Sequence, residues 1–209
     1  MIERNRFFLF IGVLLFFDLI GCAKLEKNYP QRNYYILSIT NEHQNSPSIS
    51  GSILQIPRFK ISPSFSGREF VYRKSDLSYE SDFYNQFFKS PGSLITDEVR
   101  KWFTESGSFK HVVDSSNDVD ADYTLQGNVS ELYGDFRSSV SPNAVLGVQF
   151  LLTDSSASPK IILQNNYRKE IPLEANSPQD LVKGWNEALR QILGELEHDM
   201  RKVGLKAQR

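Results

Sequence analysis

The chain has 209 residues, with 24 Lys and Arg against 25 Asp and Glu, a formal net charge of -1, 40% hydrophobic residues and 23% charged ones. That balance fits one folded domain with a buried core and argues against a disordered chain or a basic nucleic-acid-binding surface, so nucleic acid is not expected as a partner. A single cysteine, Cys22, excludes an intramolecular disulfide framework and any zinc site built on two cysteines, and only His43, His111 and His198 could supply imidazoles.

Arg4 and Arg6 precede an unbroken apolar run from Phe7 to Phe17. The run is shorter than the ~20 residues that cross a bilayer and matches the apolar region of an export signal. It ends in Leu19-Ile20-Gly21-Cys22, which resembles a bacterial lipobox. Residues 1–21 are therefore expected to be a lipoprotein signal peptide, and Cys22 the acceptor of a covalent diacylglyceryl and acyl (palmitate-type) anchor. Asp18 and Glu3 are departures from the usual apolar and basic character of such a segment. Several acyl chains make attachment effectively permanent, since each buried CH₂ contributes ~0.8 kcal/mol. Residues 22–33 are polar, contain Pro30 and show no apolar period, so they read as a tether. As a coil it spans on average only ~15–20 Å.

Residues 34–209 read as a single domain. Asn33 to Ile39, Ser52 to Phe59 and Phe70 to Arg73 have the aromatic and β-branched content of strands, with the turn-rich stretch Asn41 to Gly51 between the first two. Ser90 before Pro91 marks an N-cap and a first helical turn, followed by Asp97 and Glu98. Ile95, Val99, Trp102 and Phe103 then recur at helical steps, and Gly107 can stop the helix. Phe109 to Val113, Tyr123 to Tyr133, Ala144 to Leu152 and Lys160 to Leu173 read as further strands. Ser177-Pro178 repeats the helix start, and Leu181, Trp185, Ala188, Leu189, Ile192, Leu196 and Met200 form one apolar stripe. These pieces predict an α+β domain, a mostly antiparallel sheet with two amphipathic helices packed on it. The similar strand–helix order in both halves points to duplicated units.

With these elements in place the chain resembles the ABC-type transport auxiliary lipoprotein family, the accessory lipoproteins of lipid-transport systems with mammalian-cell-entry (MCE) domains, including the paraquat-inducible type. The resemblance rests on Tyr34-Tyr35-Ile36-Leu37, Ile53 to Pro57, Val71-Tyr72-Arg73, the aromatic stretch Tyr79 to Phe88, Pro91 and Ser106-Gly107-Ser108-Phe109. It continues through Asp120 to Gly127, Ala144 to Asp154 and Trp185-Asn186-Glu187-Ala188-Leu189. No single piece is decisive; the order and spacing of the set carry the likeness. One departure is Phe87, where the family typically has tryptophan.

The resemblance implies a non-enzymatic accessory role, docking a periplasmic MCE-domain protein and its ABC permease and ATPase to assist intermembrane transport of lipid or a hydrophobic solute. It also implies homo-oligomeric assembly. The sequence itself has no phosphate-cradling G-x-x-x-x-G-K-[ST] or G-x-G-x-x-G motif. Ala23 after the cysteine points to the outer membrane, facing the periplasm. A stand-alone lipid- or solute-binding envelope lipoprotein is the second reading, and an anchored hydrolase a distant third.

No catalytic, cofactor or metal residue is assigned. Asp118-x-Asp120-x-Asp122 starts like a calcium loop, but Tyr123 and Val129 occupy the positions that need Gly and Glu. Tyr72, Arg73, Tyr79, Phe83, Tyr84, Phe87 and Phe88 are the candidate partner-docking or lipid-facing residues, because aromatics and Arg concentrate binding energy where water is excluded. The competing expectation is that these rings fill the core. Arg201, Lys202, Lys206 and Arg209 could touch anionic headgroups, against the simpler reading of a solvated helix end.

Overall fold

In the computed structural model, residues 31–40, 51–116, 119–138, 140–155 and 158–205 are described. The lipobox, Cys22, most of the tether, His43, Asp118, Lys206 and Arg209 lie outside them.

The organising strand is β7 (Tyr123–Asp135), whose residues alternate buried and exposed over its first half, as a strand with one covered face requires. One edge pairs antiparallel with β8 (Asn143–Asp154), which pairs antiparallel with β9 (Ile161–Pro172). The other edge is shared by three short strands running parallel to it: β2 (Ile53–Gln55), β3 (Lys60–Ile61) and β4 (Glu69–Arg73). Pro57 cannot donate to a ladder, which cuts the expected Ser52–Phe59 strand after Ile56 has bonded Val113. A single 3₁₀ turn, Pro63–Phe65, interrupts the edge again before β4.

β4 turns back antiparallel into β5 (Tyr79–Phe87), β1 (Asn33–Tyr35) lies parallel outside β5, and β6 (His111–Val113) lies parallel outside β2. The α+β class holds. The sheet is mixed, however: the three antiparallel pairings are the long ones, but most strand pairs, involving the short strands, are parallel. The reason is that residues 53–73 lie along β7 in its own direction, with the connection back passing through β5 and a helix. β5 is not among the strands expected from the sequence.

Helices α1 (Pro91–Glu105) and α2 (Pro178–Lys202) cover one face of the sheet, and both predicted stripes are buried. Each half of the chain closes on an antiparallel hairpin followed by a helix that begins with proline. The two starts differ. Ser177 accepts from the Asp180 amide at 3.1 Å and donates to its carboxylate at 2.6 Å. Ser90 makes no side-chain cap bond; its hydroxyl is engaged by Arg58 at 2.7 Å and lies 3.0 Å from Ser93. Asp97 and Glu98 fall beyond the first turn, where Glu98 accepts from the Ile39 amide. α1 ends at Glu105 with Ser106 as its C-cap, and Gly107 follows with φ 65°, a left-handed position suited to glycine.

Candidate functional site

Of the seven aromatic and arginine candidates, the structure buries Phe87, holds Tyr72 and Arg73 half-buried, and leaves Tyr79, Phe83, Tyr84 and Phe88 exposed, Tyr79 while packing on other rings. Phe87 is 2% exposed and stacks among Phe70, at 4.8 Å, and Trp185, at 5.3 Å. It belongs to the core and is removed from any docking face. Tyr79 lies edge-on to Tyr133 at 5.6 Å and against Phe65, so it roofs the far end of β7 on the face away from the helices. Arg73 lies 5.8 Å from the centre of the Tyr79 ring and bonds Asp76 in the β4–β5 turn. Tyr72 packs on Phe136 and donates its hydroxyl to Asp82 at 2.7 Å.

That last bond helps hold the feature that exposes Phe83 and Tyr84. Between Glu69 and Phe70 the register jumps from Gln86 to Asp82, so Phe83, Tyr84 and Asn85 bulge out with no β4 residue opposite. Asp82 fixes the bulge: its carboxylate accepts the amides of Tyr84 at 2.8 Å and Asn85 at 3.0 Å, the Asn85 side chain at 2.7 Å and the Tyr72 hydroxyl. Asn85 in turn accepts from the Tyr35 hydroxyl at 3.1 Å, tying the bulge to β1. Burial works against the Asp82 charge, but the hydrogen bonds from Tyr72, Asn85 and the two amides outweigh it and hold the carboxyl below its ordinary value. Burial, then the hydrogen bond to Asp82, pushes the Tyr72 phenol well up.

Phe83, Tyr84 and Phe88 are joined along the β1–β5 edge by Tyr34 and Ile36, and all five are between 42% and 59% exposed. Tyr34 meets Phe88 edge-on at 6.4 Å, and Phe83 meets Tyr84 at 5.3 Å. Arg32 stands 3.9 Å over the Phe83 ring and Arg68 5.3 Å over Tyr34. Arg68 also donates to the Phe87 carbonyl, fixing the end of β5. Sequence reasoning missed Arg32, Tyr34, Ile36 and Arg68 as partners of this stretch; the signal available was the outward parity of Tyr34 and Ile36 against buried Leu37 and Ile39.

The other sequence candidates resolve into structural roles. Asp122 accepts from the Ile53 amide at 2.8 Å, while Tyr123 and Val129 are buried in β7, so the calcium-like spacing enters a strand. Among the described residues no three His, Cys, Asp or Glu side chains are grouped to hold a metal. Arg201 bonds Glu197 at 2.6 Å and Lys202 lies 3.5 Å from Asp199, both within α2. Shallow grooves of about 260 Å³ lie between Tyr72, Phe136 and Ser177 and between Lys60, Asn128 and Gln149. No helix among the described residues is long and apolar enough to cross a membrane.

No protein-family model and no curated protein sequence matches the chain. Solved structures do. The chain is similar to protein XCC0632 of Xanthomonas campestris, described as a DUF330 protein, with 16% identity, a TM-score of 0.70 and coverage of 82% of this chain and 96% of that one. A second crystal structure, of an uncharacterized protein, is 14% identical at a TM-score of 0.65, covering 81% and 99%. The protein CT253 of Chlamydia trachomatis is 9% identical at 0.50, covering 71% and 97%. At these identities what is shared is the fold: a nearly complete α+β body with the same arrangement of sheet and helices.

Proposed function

We propose that the chain is a lipid-anchored cell-envelope protein, acylated at Cys22, that acts without catalysis as the accessory component of an ABC/MCE-type system moving lipid or a hydrophobic solute between membranes. The observation that carries the reading is how little chain separates anchor from body. Only residues 23–31 lie between the lipobox cysteine and Arg32, which already contacts β5 through Phe83. A coil of that length keeps the body on average within ~15–20 Å of its anchor and raises the effective concentration of anything presented at the same membrane. The exposed aromatic β1–β5 edge lies at the end of the body that the tether joins.

The alternative, a stand-alone carrier, needs a container. Among the described residues, the two grooves named above, of about 260 Å³ each, are smaller than the ~300–1,000 Å³ typical of sites for drug-sized ligands. Affinity purification from native membranes separates the readings. The accessory role expects an MCE-domain protein to co-purify and no stoichiometric lipid to be retained. Recovery of one bound lipid per chain with no MCE-domain protein would establish the carrier. For the anchor, Cys22→Ser is expected to release the protein from the membrane fraction with its melting temperature unchanged; an unaltered location would remove the acylation.

A further inference from the structure

We infer that the aromatic edge built from β1 and the β5 bulge seats in the headgroup layer of the bilayer that carries the anchor, fixing how the body faces the membrane. The inference rests on acylation at Cys22 and deepens that reading by naming what this edge touches.

Three observations converge on a lipid surface. The first is composition: Phe83, Tyr84, Phe88, Tyr34 and Ile36 stand exposed beside Arg32 and Arg68. Amphipathic rings prefer the membrane–water interface, and basic groups beside them meet anionic headgroups. Asp82 stays ionised, held by Tyr72, Asn85 and two backbone amides, so the bulge carries one carboxylate against the two guanidinium groups of Arg32 and Arg68.

The second is connectivity. The residues linking Cys22 to the body arrive at Arg32, on this edge and not on the far side of the sheet, where β9 lies beyond β8. With ~15–20 Å of average reach, the edge is the part of the body the tether delivers to the lipid. The third is preorganisation. The bulge backbone is fixed through Asp82, and two of the rings lie under guanidinium groups, so little conformational freedom is left to lose on seating.

The test uses the acylated full mature protein in vesicles of phosphatidylethanolamine and phosphatidylglycerol containing lipids brominated near the headgroup. Tryptophan reporters are introduced singly as Phe83→Trp, Phe88→Trp and, at the opposite edge of the sheet, Ile161→Trp, a side chain 62% exposed. The native Trp102 and Trp185 are buried and give a common background, subtracted with the unsubstituted protein. The reporters at 83 and 88 are expected to be quenched about twofold more than the one at 161, as for rings buried ~5–10 Å into the interface. Equal quenching at all three positions, or none at 83 and 88 while the protein stays with the vesicles, overturns the seating and leaves the anchor standing. Failure of the protein to remain with the vesicles overturns the anchor and the seating together.

Discussion

Glu197 is a carboxylate in the apolar seam between the helices, 4% exposed, where α2, α1 and the turn after α1 meet. It accepts from the Trp102 indole at 3.2 Å, the Ser108 hydroxyl at 2.5 Å and Arg201 at 2.6 Å. A buried charge is tolerated only where it is paired and hydrogen-bonded, and here one residue joins three segments. Glu197→Ala should cost about 2–3 kcal/mol in urea unfolding, below the ~3–5 kcal/mol of a fully buried pair because Arg201 reaches solvent. Glu197→Gln keeps an acceptor for Trp102 and should cost about 1 kcal/mol. Nothing in the sequence marks Glu197, since the i, i+4 step to Arg201 looks like any solvated helix pair. The aromatic stretch shows the complementary difficulty. Strand parity puts Phe83 and Phe87 on one face, yet one is exposed and the other in the core, because the bulge breaks the alternation between them.

α2 approaches the sheet closely at one point and stands clear of it at another, and its two glycines separate these cases. A Cβ on Gly184 would lie 2.6 Å from the Ala144 Cβ and 3.0 Å from Leu173, so glycine there permits the contact with β8. A Cβ on Gly194 would meet nothing within 4 Å. Gly184→Ala should therefore destabilise by about 1–3 kcal/mol through overpacking. Gly194→Ala should stabilise by about 0.5–1 kcal/mol through helix propensity. Thermal melts of the pair should move in opposite directions. The existence of both helices was legible from their stripes and Ser-Pro starts, since a 3.6-residue period is a local signal. The sheet's direction was not. β2, β3 and β4 are short and acquire their parallel pairing from β7, more than fifty residues further on in sequence. β5 was missed because its exposed aromatics and bulge erase the period-2 pattern that identifies a strand.

Among the described residues, the carboxyls and phenols with shifted values form two opposed sets that bear on the pH range of stability. Asp135 is held below its ordinary value by the Arg137 guanidinium, Glu187 by Arg190, Asp199 by the Tyr167 hydroxyl and Asp180 by the Ser177 hydroxyl; Asp82 is held down by its hydrogen bonds against burial. Depressed carboxyls bind fewer protons folded than unfolded. Their contribution is complete above the unfolded carboxylate range near pH ~4 and is lost as pH falls through the lower folded values. Tyr72, Tyr167, Tyr133 and Tyr35 are raised, in each case first by burial. Their contribution is complete below the unfolded phenol value of ~10 and fades as pH rises above it. The melting temperature should be nearly flat from about pH 5 to 9, drop steeply below about 4 and decline again above about 10. Tyr72→Phe sharpens the test because it removes the donor that helps hold Asp82 down and one of the raised phenols. It should move the acid limb to higher pH and soften the alkaline limb, while the fluorescence of a reporter at Phe83 reports whether the bulge has loosened. An acid limb identical to that of the unsubstituted protein would show that the Tyr72–Asp82 bond contributes nothing to holding the edge in place.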